Sequence, residues 1–162
     1  SYVDTHPITN VLYMLQMIIG GAPGGTAGGV KVTAAAITFL LFKAELTGQT
    51  EVTFRNRVIA NKVIKQTFTI LIFFFTILTV GYMALLLFEP HHNPLALLFE
   101  AISAIATVGV SMDLTPQLST GGRIVIMVLM FVGRVGPITV LLSFLQRKRK
   151  DIHYAQTTIN MG

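Results

Sequence analysis

The sequence predicts an all-α membrane protein made of repeated helix, pore loop, helix units, with re-entrant pore helices arranged pseudo-symmetrically. Three observations carry this expectation. Of the 162 residues, 52% are hydrophobic and only 12% charged, well below the roughly 25% charged residues of a typical soluble domain. Two apolar stretches, Pro7 to Gly20 and Pro94 to Ile105, fall short of the roughly 20 residues that a spanning helix needs. Each runs into a glycine-containing turn, the second of them at Thr107-Val108-Gly109.

Composition removes several function classes. There is no cysteine, so a disulfide framework and a thiolate metal site are both excluded. The net charge of +5 comes from basic residues that flank apolar spans, with no aromatic-interleaved basic face for nucleic acid. No grouping of histidine, carboxylate and nucleophile suggests an enzyme, and the acids are scattered singly. The opening Ser1-Tyr2-Val3-Asp4 carries none of the marks of a signal peptide and reads as the start of a piece of a longer chain.

In chain order, Pro7 to Gly20 can enter a bilayer only part-way, as a pore helix would. Gly20 to Gly29 then places six glycines in ten residues. So much irregular backbone is tolerated at membrane depth only beside protein or a water-filled cavity. A phosphate-binding loop is a poor match, because Gly24 and Gly29 are followed by Val30-Lys31-Val32 and the lysine is misplaced. The pairs Gly24/Gly28 and Gly25/Gly29 fit the spacing that lets membrane helices approach closely. A helix is expected from Thr26 to Phe42, ending at Lys43, followed by a polar segment from Ala44 to Arg57 that is either a cytoplasmic loop or an irregular piece beneath the turn.

Thr67 to Phe88, uncharged between Lys65 and Glu89, is the clearest spanning helix. The His91-His92 pair in the following turn reads as solvated loop, since adjacent histidines diverge and no third ligand is placed nearby. After Pro94 the first pattern returns: a short apolar helix, then a turn, then Gly121-Gly122, then the apolar run Ile124 to Leu145. Pro7 and Pro94 stand 87 apart, and Gly28-Gly29 and Gly121-Gly122 stand 93 apart, which defines an internal repeat of the kind that pseudo-symmetric pores use.

Ile105 to Met112 is the focus of this repeat. Gly109 permits backbone angles closed to other residues, so Thr107, Val108 and Gly109 can present successive carbonyls and a hydroxyl to a dehydrated cation. Nine of the twelve basic residues (Lys43, Arg55, Arg57, Lys62, Lys65 and 147–150) fall on one side if Thr67 to Phe88 and Ile124 to Leu145 each cross once. The positive-inside rule makes that side cytoplasmic. Arg134 breaks the apolar run within Met130-Phe-Val-Gly-Arg-Val-Gly-Pro137. A mid-span arginine costs about 2.5 to 3.5 kcal/mol on insertion scales and normally faces a cavity or a partner.

Three segments together resemble the Trk/Ktr/HKT superfamily of potassium transporters, most closely the KtrB-like membrane subunits of bacterial Ktr systems. They are Ile19-Gly-Gly-Ala-Pro-Gly-Gly-Thr-Ala-Gly-Gly-Val-Lys31, Thr107-Val-Gly-Val-Ser-Met112 with Thr115-Pro116, and the Met130 to Pro137 run. The resemblance implies a potassium-channel-like architecture of four repeats, of which this chain holds the later two. Residues 1–66 correspond to the third repeat without its first helix, 67–146 to a complete fourth, and 147–162 to a cytoplasmic tail. It further implies a K+ pathway, with Na+ as a second or coupled ion, and a selectivity filter at Ile19, Gly20, Gly21, Thr107, Val108 and Gly109. The implied intramembrane gate lies at Thr47, Gly48 and Thr50, contacted by Arg134. The implied partners are the N-terminal repeats of the same protein, a second copy in a homodimer, membrane lipids, and a cytoplasmic KtrA/KtrC-like regulatory ring through which a nucleotide would act. The third-repeat turn departs from the Thr-Val-Gly form, and two filter segments of four do not complete a pore. A non-conducting assembly protein with glycine-packed helices is the alternative reading.

Overall fold

The computed structural model describes residues 6–20, 29–48, 52–54 and 57–135. Five α-helices account for most of them: α1 (Pro7–Ile18), α2 (Val32–Leu46), α3 (Asn61–Phe88), α4 (Pro94–Ile105) and α5 (Thr120–Val135). Between α2 and α3 lies a small antiparallel hairpin of β1 (Thr53–Phe54) and β2 (Arg57–Val58), in which Thr53 pairs with Val58 and Phe54 with Arg57. The chain is therefore mostly helical, as expected; this hairpin and a short 3-10 helix at Thr115–Gln117 were not foreseen.

The two short helices are near copies. Each has 12 residues and starts with a proline. Proline fits there because its fixed φ suits a first turn and its missing N–H has no intrahelical partner to lose. Each is capped by the preceding residue: the Ile8 N–H donates to His6 Nδ1 at 3.5 Å and the Leu95 N–H to Asn93 Oδ1 at 2.9 Å. At about 1.5 Å per residue, 12 residues make about 18 Å, little more than half a bilayer core of about 30 Å. The 87-residue offset thus holds at both ends, Pro7 to Pro94 and Ile18 to Ile105.

α3 begins earlier than the uncharged run suggests. It has 28 residues, and its most apolar window has a mean hydropathy of 2.5 while only 22% of that window is buried. The rest of its apolar surface, including Phe68, Ile72, Phe75, Val80, Met83 and Leu87, is exposed, which suits a lipid or helix partner and not water. Its threonines hide their hydroxyls within the helix: Thr67, Thr69, Thr76 and Thr79 donate to the carbonyls of Val63, Lys65, Ile72 and Phe75 at 2.7 to 2.9 Å. That is a cheap way to carry an oxygen through an apolar medium.

The core forms where α3, α4 and α5 pack on one another and α1 lies against α4. α4 is its axis, with every residue from Phe99 to Ile105 buried. Glycines let α5 close on α3. A β-carbon at Gly81 would stand 2.6 Å from Leu129 Cδ2, and one at Gly121 would stand 2.6 Å from the Phe88 ring.

The expected helix from Thr26 to Phe42 is corrected at both ends. α2 starts at Val32, because Gly29 takes φ +80° and Lys31 is extended at φ −61°, ψ 145°. It runs on through Lys43, Ala44 and Glu45 to Leu46, so the first three residues of the expected polar segment are helical. Gly29, placed outside the helix, is also not half of a helix-packing Gly25/Gly29 pair; Gly24, Gly25 and Gly28 lie outside the described residues.

Candidate functional site

α4 delivers the chain into a turn of unusual backbone geometry. Ala106 caps the helix, after which Thr107 takes φ +54° and Gly109 φ +79°, whereas Val108 between them keeps an ordinary negative φ. A threonine in the left-handed region is strained, by about 1 to 2 kcal/mol for a residue bearing a β-carbon. Inward hydrogen bonds hold the turn: the Val108 N–H donates to the Ser103 carbonyl at 3.0 Å, and the Val110 N–H to Ser103 Oγ at 3.0 Å. Further on, the Met112 N–H donates to Glu100 Oε1 at 3.0 Å.

These bonds determine where the carbonyls face. In a trans peptide the C=O points opposite to the N–H of the same plane, and the described chain has no cis peptide. The N–H groups of Val108, Val110 and Met112 all face α4, so the carbonyls of Thr107, Gly109 and Ser111 face away from it. Val108 and Gly109 are exposed, and a β-carbon at Gly109 would meet nothing within 4 Å. The outward side of the turn is therefore open. An open cleft of about 430 Å³ adjoins the turn on the side of α4 and α5, lined in part by Glu100, Ser103, Gly109, Ser111, Arg123 and Met130.

The first short helix ends differently. Ile19 caps α1 at φ −79°, ψ 84°. The Gly20 N–H then donates to the Val30 carbonyl at 2.8 Å and the Val30 N–H to the Ile18 carbonyl at 3.1 Å. Ile19 and Val30 so form a parallel bridge that closes the neck of the glycine-rich loop. Gly29 sits at this neck, where a β-carbon would press on the Ile18 carbonyl at 3.3 Å. Gly21 lies outside the described residues.

The bases of the two turns meet at one place. A small apolar gap is lined by Gly29, Phe74, Ile77, Ile105, Val132 and Gly133, which joins the neck after α1, the end of α4 and the turn of α5 just before Arg134. Gly133 is buried because α5 presses its backbone on the Ile105 carbonyl. Arg134 follows in the last described turn of α5 and is exposed.

The gate candidates stand elsewhere. Thr47 caps the far end of α2, with its hydroxyl donating to the Lys43 carbonyl at 2.9 Å, and Gly48 follows at φ +65°. From Val32 to Leu46 the helix rises about 21 Å at about 1.5 Å per residue, so Gly48 is distant along the chain axis from the neck at Val30. α2 packs on α3 and α3 on α5. Thr50, and with it Glu51 and Arg55, lies outside the described residues, as does the tail 147–162.

Two buried carboxylates escaped the sequence reading as organisers. Glu100, 4% exposed, accepts from the Ser111 hydroxyl, the Met112 N–H and, at 2.8 Å, the Thr115 hydroxyl. Its signal was a lone acid in the apolar run Leu95 to Ile105. Glu89 caps the C-terminal end of α3, accepting the Ser119 N–H at 2.6 Å beside Gly122. Hydrogen bonding to Ser119, first through its side chain and then its backbone, holds the Glu89 carboxyl below its ordinary value against the opposing effect of burial. His92 Nε2 lies 3.6 Å from Glu89 Oε2, and among the described residues no group of three or more metal-ligating side chains occurs.

One helix long and apolar enough to cross a membrane, beside a pair of half-length apolar helices, is compatible with an all-α membrane protein. Comparison with known families is specific: the chain belongs to the TrkH family of cation transport proteins, whose model matches residues 1–152. This is a family of transporters, not enzymes. The chain is 34% identical over 154 residues to the Ktr system potassium uptake protein B of Bacillus subtilis, covering 95% of this chain and 34% of that protein. It is 34% identical over 158 residues to the potassium/sodium uptake protein NtpJ of Enterococcus hirae, covering 94% and 35%. Against the Ktr system potassium uptake protein B of Vibrio alginolyticus the identity is 30% over 158 residues, covering 98% and 34%. The chain thus spans about a third of the length of these relatives.

Proposed function

We propose that the chain is the C-terminal part of the pore-forming subunit of a potassium uptake system, and that the turn Thr107-Val108-Gly109 is one segment of its selectivity filter. The observation that carries this reading is the direction of the peptide groups. Every second N–H from Val108 to Met112 is committed to α4, leaving the alternate carbonyls directed away from it, where they can replace the hydration of a cation. Ile19, Gly20 and Gly21 form the corresponding segment of the preceding repeat, after α1. The bases of the two segments share one small gap beside Gly133, which supports their belonging to one pore.

In this reading α1 and α4 are re-entrant pore helices. Residues 1–66 and 67–146 are successive helix, pore loop, helix units, and residues 147–162 are a cytoplasmic tail. K+ is the principal ion, and Na+ a second one, as the potassium/sodium relative suggests. Thr47, Gly48 and Thr50 form a gate at the inner end of α2, with Arg134 acting on it. The earlier repeats, a second copy of the subunit and a cytoplasmic nucleotide-binding ring complete the assembly in the plasma membrane.

The test is Gly109→Ser in the full-length protein, with K+ and Na+ uptake measured in cells lacking their own potassium uptake systems. Reduced discrimination between the ions at normal expression is the expected result. An unchanged K+/Na+ ratio would remove Thr107-Val108-Gly109 from the pathway.

A further inference from the structure

We infer that Glu100, with Ser103 one turn on, is the positioning residue that sets the carbonyl geometry of the 107–111 turn and thereby its ion discrimination. The inference rests on the filter reading above. A β-carbon at Gly109 would meet nothing within 4 Å and Val108 is exposed; although Val110 and Met112 pack on the core, side-chain packing does little to fix the backbone at Val108 and Gly109. What fixes them is a row of polar attachments to one face of α4. Glu100 and Ser103 stand three residues apart, a spacing that puts both side chains on the same face of a helix.

Their reach is long. Ser103 holds Val108 through its carbonyl and Val110 through its hydroxyl. Glu100 holds Ser111, Met112 and Thr115, residues 11 to 15 positions away. The Thr115 hydroxyl and Ser111 Oγ are themselves 3.0 Å apart, so the two hydroxyls and the carboxylate form a closed triangle. The carboxylate accepts from every partner, and it is 4% exposed. Buried so, its charge is tolerable because those donors satisfy it. Removing one donor loosens the carboxylate, and removing the carboxylate releases three donors at once.

Selectivity between two monovalent cations depends on how stiffly the coordinating oxygens are held. At Val108 and Gly109 the turn is exposed, so its attachments to α4 carry much of that stiffness. Glu100, with Ser103, is therefore the element that holds a strained turn in one arrangement of its oxygens, and it does so without touching the ion.

The experiment uses the full-length protein and reads the K+/Na+ uptake ratio beside membrane expression and thermal stability. The informative variant is the double substitution Ser111→Ala with Thr115→Val, which cuts two of the three attachments from the half-exposed loop side and leaves the core of α4 intact. The expected result is a fall in the ratio of roughly fivefold or more, the discrimination equivalent to about one net hydrogen bond, at unaltered expression. Glu100→Ala should fall further, and Glu100→Gln, which keeps an acceptor oxygen at the same place, should recover most of the ratio. Gly109→Ser is run alongside. If Gly109→Ser lowers the ratio and the double substitution does not, Glu100 is a core residue only and the inference is overturned while the filter stands. If neither lowers it, the filter reading fails and takes this inference with it. Should Glu100→Ala not reach the membrane, the double substitution alone decides.

Discussion

Gly133 lies directly against the carbonyl oxygen of Ile105, so closely that a β-carbon on Gly133 would overlap it. The obstacle is backbone at the end of α4, which cannot swing aside as a side-chain tip can. Gly133→Ala should therefore push α5 off α4 at the base of the 107–111 turn. Overpacking of this kind costs about 1 to 3 kcal/mol. A drop of several degrees in melting temperature, measured on the purified full-length protein, is expected. An unchanged melting temperature would show that α5 sits farther from Ile105 than described.

Gly81 offers a milder version of the same contact. Its absent β-carbon would meet Leu129 Cδ2 at 2.6 Å, and this neighbour is the movable end of a side chain. Gly81→Ala should destabilise, and Leu129→Ala should cost about 2 to 5 kcal/mol through the cavity it leaves. The pair together should be less harmful than the two costs added, because each relieves the other. Additive losses in a double-mutant cycle would refute the contact.

Glu89 gives a pH dependence with a definite sign. Ser119 holds its carboxyl below the ordinary value of 4.5. The folded pKa being lower than the unfolded one, Glu89 contributes stability above the unfolded value and loses it as pH falls through the folded value. The wild type should thus lose melting temperature below about pH 4.5 more steeply than Glu89→Gln does, the two curves converging in acid. Parallel curves would exclude this contribution.

At the proposed gate, Gly48 takes φ +65° with nothing within 4 Å of an added β-carbon, so Gly48→Ala meets strain in the backbone alone, about 1 to 2 kcal/mol. Shortening the Ala44 to Arg57 segment should raise K+ flux. Wild-type flux at normal expression would return that segment to the status of an ordinary loop.

The helices were legible where proline and apolar length coincide. Pro7 and Pro94 mark the first residues of α1 and α4, and Ile105 the last residue of α4. Bounds drawn from charge were less accurate. Composition tracks the lipid, whereas hydrogen bonding sets the helix, and so α3 takes in Lys62 and Lys65 and α2 takes in Lys43 and Glu45. Lysines near helix ends can extend their charged heads toward water. The turn at Thr107-Val108-Gly109 was legible because Thr-Val-Gly is a local pattern. Glu100 was not, since its partners at Ser111 and Thr115 are brought to it only by the fold. The pressing of Gly133 on Ile105 is likewise a matter of helix packing that no local spacing contains.

α1 and α4 run in the same sense relative to their turns, each meeting its loop with its C-terminal end. The peptide dipoles of a helix add to about half a negative charge at that end. In the proposed filter, two such ends would act as a fixed electrostatic lure, favourable to any cation and adverse to any anion, and present at every pH because no proton is involved. Charge sign would then be chosen by helix polarity, leaving to the turn's oxygens the finer choice between one alkali metal ion and another.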